Sequence, residues 1–277
     1  MENDFSNARP LVLVGCGHMG QALAEGWLKA GLVPDSLIVV DPAAKPGLLA
    51  GVPDENILAS AAMLKGKPQA HALVLAVKPQ MADSVLAALK PSVGADTLVI
   101  SIAAGVTLDQ IKRGLDGAGT AVRAMPNTPA AVGAGISALA AEMGTTAGQK
   151  ALASTLLGAV GSTVWLEDEN QMNAVTAVSG SGPAYVFHLV ECMAAAGAKQ
   201  GLPSDVAEVL SRQTLIGAAR LLEAKTSDSA LDLRRQVASP GGTTAAALEV
   251  LMAEGGLSDL MAKAIRAARK RGDDLAG

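Results

Sequence analysis

The stretch LVLVGCGHMG, residues 11–20, decides the fold. A short apolar run ends in Gly15, and glycines recur at Gly17 and Gly20. The following HMGQALAEGWLKAG reads as a helix closed by Gly31, so the unit is strand, tight turn, helix. In that setting each glycine of G-x-G-x-x-G has a physical use. Gly15 makes the turn, Gly17 lets a pyrophosphate approach the backbone, and Gly20 lets helix and strand pack. The orphan N–H groups and the dipole of the helix start favour the anion, so the whole loop, Gly15, Cys16, Gly17, His18, Met19 and Gly20, is a candidate cofactor cradle. The competing reading is a tight strand–helix turn that binds nothing.

The alternation continues downstream. SLIVVD (residues 36–41) is a strand, a shorter one lies around Ile57, and a helix follows Ser60. ALVLAVKP (72–79) is a strand and residues 80–89 a helix. DTLVISIAAG (96–105) is a strand, TLDQIKRGL a short helix capped by Thr107, and TAVRAMP (120–126) a strand. Two more strands, near residues 135–139 and 163–167, flank a helix at 146–160. The strands are continuous apolar runs, the mark of a parallel sheet covered on both faces. Beyond Glu167 only helical patterns remain, at residues 170–178, 183–200, 204–225, 231–237, 243–253 and 257–271. The expected fold class is therefore α/β: an N-terminal Rossmann domain with a parallel sheet, residues 1–167, and an all-α C-terminal domain, residues 168–277. No Pro/Gly/Ser-rich linker separates them, so a stiff junction is expected.

Bulk composition excludes several classes. The chain has 277 residues and is 50% hydrophobic, so it can bury a large core. A net charge of −4 without a basic run argues against nucleic acid, and 2% aromatic residues leave no base-stacking platform. Cys16 and Cys192 are far apart, which fits a reducing, cytoplasmic setting. His18, His71 and His188 lack metal-ligand spacing, so no metal is expected. The polar, acidic start MENDFSNARP does not read as a secretory leader. Residues 170–190 carry no formal charge, but SGSGP and several amides would be costly in lipid, so no membrane span is expected.

Asp41 ends the second strand about 20 residues past the last glycine, where a carboxylate accepts hydrogen bonds from a ribose and repels a 2′-phosphate. It reads equally as the cap of a turn before Pro42, with Lys45 close enough to tolerate a phosphate. Three strand-end loops are also unusual: AVKPQ (76–80), SIAAG (101–105) and MPNTPA (125–130). Small residues and fixed turns at the carboxyl ends of adjacent strands let a flat dinucleotide lie against backbone. Each loop alone is ordinary turn chemistry.

Taken in order, GCGHMG, AVKP, SIAAG, MPNTP, AVSGSGPAY and VASPGGTT followed by ALEVL resemble the pyrroline-5-carboxylate reductase family, from about residue 11 to about 260. The resemblance implies reduction of the cyclic imine 1-pyrroline-5-carboxylate to L-proline with NADH or NADPH, the last step of proline biosynthesis. It implies that the helical domain binds substrate and interlocks with a second subunit, giving homodimers that often assemble into decamers. It places Ala76, Val77, Lys78, Pro79, Ala103 and Ala104 along the cofactor. Ser239, Gly241, Gly242, Thr243 and Thr244 fall in the substrate pocket, with Thr244 on the ring nitrogen. Gln236 falls near the nicotinamide, where some members carry Asn.

The loop SPGGTT has a physical reading beside this one. A helix start offers orphan N–H donors and a positive dipole end. Gly241 and Gly242 remove bulk, Ser239, Thr243 and Thr244 add hydroxyls, and neither Ala246 nor Ala247 completes a capping box. An anion suits that place; a helix capped by Thr243 is the alternative. Hydride transfer needs an electron-poor C=N bond, which a protonated imine supplies, so no catalytic histidine is required.

His188 and Lys199 are tempting acids. His188 reads better as a packed or interfacial side chain, and Lys199 as a cation at a helix end. The runner-up, a β-hydroxyacid-type dehydrogenase, would depend on Lys199. A third reading is a non-catalytic NAD(P)H-binding sensor.

Overall fold

The structure is a computed structural model that describes residue 5 and residues 10–276. Most of the MENDFSNARP start, read above as carrying no leader, lies outside the described residues. By packing the chain forms two compact units. One comprises residues up to Gly180 together with those from Ala268 on; the other is Ser181–Ala267. The unit boundary thus falls after the position expected from sequence, residues 167/168.

In the first unit the chain runs β1 (Leu11–Val14), α1 (His18–Lys29), β2 (Leu37–Val40), β3 (Ile57–Leu58), β4 (Ala72–Leu75), α2 (Ala82–Leu89), β5 (Leu98–Ser101) and α3 (Leu108–Gly114). Then follow β6 (Thr120–Met125), β7 (Gly135–Ala141), α4 (Ala147–Gly158), β8 (Gly161–Trp165) and α5 (Met172–Val175). Eight strands among the described residues form one sheet in the order β3-β2-β1-β4-β5-β6-β7-β8. Its first six strands have the dinucleotide-binding order, in which the chain reverses direction across the sheet between β1 and β4.

Alternate side chains of each strand enter opposite cores, as the two-residue strand period requires. Leu11, Leu13, Leu37, Val39, Val74 and Ile100 pack with Leu23 and Trp27 of α1 and Leu156 of α4. Val12, Val14, Ile38, Leu73, Leu75 and Val99 pack with Leu86 and Leu89 of α2 and Ile111 of α3. The indole N–H of the fully buried Trp27 donates to the Leu156 carbonyl at 2.7 Å. Trp27→Ala would cost about 3–5 kcal/mol.

Four expectations need correction. The sheet is not wholly parallel: β7 runs antiparallel to β6. A parallel return needs a crossover of a dozen or more residues, and only a 3-10 turn, Thr128–Val132, and its flanks connect these strands. The helix after Ser60 is a 3-10 turn, Ala61–Leu64, because Gly66 and Pro68 follow at once. The helix at 80–89 opens with a 3-10 turn, Pro79–Met81. The segment at 170–178 is three pieces: a 3-10 turn Glu169–Gln171, α5, and a π-turn Thr176–Gly180. Thr107 does cap α3, accepting from the Gln110 N–H.

The second unit contains α6 (Gly182–Lys199), α7 (Ser204–Ala224), α8 (Ala230–Gln236), α9 (Thr243–Leu251) and the start of α10 (Leu257–Ala276), whose end belongs to the first unit. The last helix runs past Arg271, where the sequence reading ended it. Among the described residues this unit buries only Ala207, Ser211 and Leu233. Phe187 (62% exposed), Val209 (66%) and Val250 (73%) lie open. Between α6 and α7 runs an apolar cleft of about 750 Å³, walled by Phe187, Val190, Ala194, Leu215 and Ile216 among others. Helices that bury only three residues among those described have no core of their own there. No helix among the described residues is long and apolar enough to cross a membrane.

Candidate active site

β1, β4, β5 and β6 are adjacent and parallel, so the loops after them leave the same edge of the sheet. These are the glycine loop, the Lys78–Pro79 turn, the Ala103–Ala104 turn and the MPNTP turn. Under the first two lies a cleft of about 430 Å³. Gly15, Gly17, Asp41, Ala76, Val77 and Lys78 line it, as a cofactor groove requires. Cys16, His18, Met19, Gly20 and Pro79 adjoin those residues without lining the cleft. Ala103 and Ala104 stand on the loop after β5, also outside it.

Each glycine has a separate physical reason. Gly15 has φ +92°, and a Cβ there would sit 2.5 Å from the Ala76 carbonyl oxygen. A Cβ on Gly20 would collide with the Gly15 carbonyl. Gly17 has φ −70° and ψ −170°, open to any residue, and a Cβ there meets nothing within 4 Å. Neither strain nor packing demands glycine at 17. Gly17 is also the N-cap of α1, with no side chain capping the helix, so the first-turn N–H groups stay available. A pyrophosphate fits that opening and those donors.

Of the two readings of Asp41, the structure shows the turn cap, and it adds a bond to the glycine loop. Its Oδ1 accepts from the Ala43 N–H at 2.7 Å, an Asx turn ahead of the chain's bend. Its Oδ2 accepts from the Cys16 N–H at 2.6 Å, tying the end of β2 to the glycine loop. Each oxygen keeps a lone pair for a further donor. Burial pushes the Cys16 thiol up to about 11, with the charges of Asp41 and Glu25 adding to it. At neutral pH the loop therefore holds a protonated thiol, a poor nucleophile.

The opposite wall escaped the sequence reading. It is Ala59, Ser60 and Ala61 from the turn after β3, with Met81, Ser84, Val85 and Ala88. The spacing 81, 84, 85, 88 is one helical face, a signal present in the sequence but indistinguishable there from a core-facing stripe.

In the second unit α8 leads into the SPGGTT loop. The Gly242 N–H donates to the Ser239 carbonyl at 3.0 Å, across Pro240 and Gly241. Proline second and glycine third, with φ +70° at Gly241, are the signature of a type II turn. A Cβ on Gly242 would lie 2.6 Å from the Ser239 hydroxyl, which can rotate away, and 3.1 Å from the Ser239 carbonyl oxygen. The N-cap of α9 is Gly242, with no side-chain hydrogen bond, so Thr243 is the first helical residue and not the cap. The N3 position is then Ala245, which cannot return a bond. Ser239, Gly241 and Thr243 are exposed, and Gly242 and Thr244 are half-buried, at the start of α9. The Gln236 amide donates to Asp228 at 3.2 Å. His188 is paired with Glu191 at 2.9 Å on α6, 73% exposed. Lys199 is the last residue of α6.

Comparison with known proteins names this constellation. Residues 169–275 match the family model for pyrroline-5-carboxylate reductase dimerisation, and residues 10–105 that for NADP oxidoreductase, coenzyme F420-dependent. The pyrroline-5-carboxylate reductase of Pseudomonas aeruginosa is 39% identical over 96% of both chains. The chain belongs to the pyrroline-5-carboxylate reductase family. Two solved members share its fold. The reductase of Coxiella burnetii is 36% identical with a TM-score of 0.87, over 98% of this chain and 99% of its own. The Plasmodium falciparum enzyme, solved with NADP bound, is 29% identical with a TM-score of 0.82 over the full length of both. The helical half thus carries the family's dimerisation domain, which explains apolar helices that bury so little within one chain.

Proposed function

We infer that this chain reduces 1-pyrroline-5-carboxylate to L-proline, taking its hydride from NAD(P)H, the last step of proline biosynthesis. The observation that carries the reading is likeness along the whole length to a relative named for that reaction. The cradle at Gly17 and the uncapped start of α9 are the chemistry such a reaction needs.

When bound, the nicotinamide cofactor supplies the hydride. Gly15, Gly17 and the first-turn N–H groups of α1 would hold its pyrophosphate, and Asp41 would accept from its ribose. Ala76, Val77, Lys78 and Pro79 would flank it, and Ala103 and Ala104 would line its further course. Cys16, His18, Met19 and Gly20 contribute backbone. Ser239, Gly241, Gly242 and Thr243 hold the substrate carboxylate against the open helix start, where the dipole favours an anion. The Thr244 hydroxyl accepts from the ring nitrogen of the protonated imine, fixing its orientation. No side-chain acid is called on, because the substrate carries its proton already.

Residues 168–277 act as the substrate and dimerisation domain and residues 1–167 as the cofactor domain. The packing boundary lies later because the turns at 169–180 rest on the sheet. A homodimer is the functional unit, with assembly of dimers into a decamer as the larger form, in the cytoplasm. The test is consumption of NADH or NADPH with pyrroline-5-carboxylate, with proline detected as product. Cofactor binding without turnover would leave only a sensor. Oxidation of a hydroxy acid that depends on Lys199 would favour the dehydrogenase reading.

A further inference from the structure

At the end of the first unit the helical chain is interrupted. α5 passes into the π-turn Thr176–Gly180, and α6 begins at Gly182 with Pro183 in its first turn. The Thr176 hydroxyl donates to the Met172 carbonyl at 2.9 Å and the Ser179 hydroxyl to the Val175 carbonyl at 3.2 Å. Such back-bonding bends helices. Proline has no N–H, so residue 183 cannot serve the carbonyl four residues back, that of Ser179. Left without a donor, a half-buried carbonyl costs free energy comparable to a lost hydrogen bond.

The missing donor comes from across the unit. Asn127, in the MPNTP turn at the carboxyl end of β6, donates its Nδ2 to the Ser179 carbonyl at 3.2 Å. Its Oδ1 accepts from the Ile136 N–H at 2.9 Å, at the start of β7. Only a carboxamide does both in one fixed plane: a carboxylate has no donor, a short hydroxyl no such reach. Met125, the last residue of β6, lies 3.8 Å from where a Cβ of Gly180 would be, so the same strand end packs against the turn. π-turns are uncommon and cluster at functional sites. This one opens the SGSGP segment, beside a strand end on the cofactor edge of the sheet.

We propose that Asn127 is a positioning residue for the reductase reaction, supplying to Ser179 the hydrogen bond that Pro183 cannot, and so fixing the π-turn beside the reacting edge of the sheet. The inference rests on the reading above. It predicts that loss of the donor lowers kcat without weakening cofactor binding, because the glycine loop stands on other strands.

The test uses the full-length oligomer and four proteins: wild type, Asn127→Asp, Pro183→Ala and the double variant. Asn127→Asp keeps the acceptor for Ile136 and removes the donor to Ser179. Its kcat with pyrroline-5-carboxylate falls on the order of ten- to a hundred-fold, the scale of an ångström's misplacement, while KM for NAD(P)H stays within about two-fold. Pro183→Ala restores a backbone N–H at 183, so the double variant regains most of the lost kcat. A merely structural role would move the melting temperature without this rescue. Wild-type kcat in Asn127→Asp, or a loss that Pro183→Ala leaves unrepaired, overturns the proposal. If Asn127→Asp does not assemble, Asn127→Ser takes its place with the same expected loss and the same rescue. An inactive wild type would overturn the reductase reading instead, so the two failures are distinguishable.

Discussion

The carboxylate of Asp41 accepts the backbone N–H of Cys16 at 2.6 Å. The residue proposed to face the ribose therefore also shapes the loop proposed to hold the pyrophosphate. Asp41→Asn leaves one oxygen where two backbone donors need acceptors. A hydrogen bond to a charged group contributes about 1.5–3 kcal/mol, so KM for NADH should rise about ten-fold or more. Removing the negative charge should hurt NADPH less, and the NADH-to-NADPH ratio of kcat/KM should fall. Steady-state kinetics with both cofactors measure it. A large NADPH advantage in the wild type would remove Asp41 from ribose recognition.

Gly15 and Gly17 are separated by one residue and should respond oppositely to alanine. Gly15→Ala forces a Cβ onto the Ala76 carbonyl at φ +92°. A left-handed non-glycine residue and a clash together cost roughly 2–4 kcal/mol. Gly17→Ala meets nothing in the protein, and as an N-cap change it costs less than about 1 kcal/mol. Thermal unfolding should find the first variant destabilised and the second near wild type. Calorimetric titration should find cofactor binding lost in the second. Full binding by Gly17→Ala would mean that no ligand uses that opening.

Thr244 is half-buried in the first turn of α9. Thr244→Ala removes the hydroxyl assigned to the ring nitrogen while favouring the helix. Loss of a bond to a charged group predicts a fall in kcat/KM of about ten- to a hundred-fold. The melting temperature should hold, and Thr244→Ser should recover much of the activity. Undiminished turnover in the alanine variant would take Thr244 out of the reaction.

The apolar helices should make association a condition of folding. Phe187→Glu or Val209→Glu puts a charge on a face that must meet a second copy, at a cost of several kcal/mol. Size-exclusion chromatography with light scattering should show the oligomer lost and activity lost with it. The wild-type melting temperature should rise with protein concentration, as for any obligate oligomer. A wild-type monomer whose melting is independent of concentration would refute this.

Legibility followed the range of the physics. GCGHMG declared its strand, turn and helix because its constraints are local, and Gly31 and Thr107 marked helix ends for the same reason. The SPGGTT turn was equally local: the helix was expected from residue 243, where it begins, and the alternative with Thr243 as its cap is not what forms. The type II turn sets where the helix begins, and only the φ of Gly241 reveals that turn. The Met81–Ala88 wall was invisible as a site because a helical stripe reads alike whether it faces core or cofactor. The antiparallel β7 depended on a loop too short for a crossover. The Asn127 bond to the π-turn joins residues 52 apart. Such pairings across the fold leave no periodicity to read.

The measurement that tests the account most directly is a crystal structure of the oligomer with L-proline and oxidised cofactor. The account places the proline carboxylate on the N–H groups and hydroxyls of Ser239–Thr244, the ring nitrogen on Thr244, and the pyrophosphate at Gly17. A carboxylate bound anywhere else, with α9 capped by the protein itself, would contradict it.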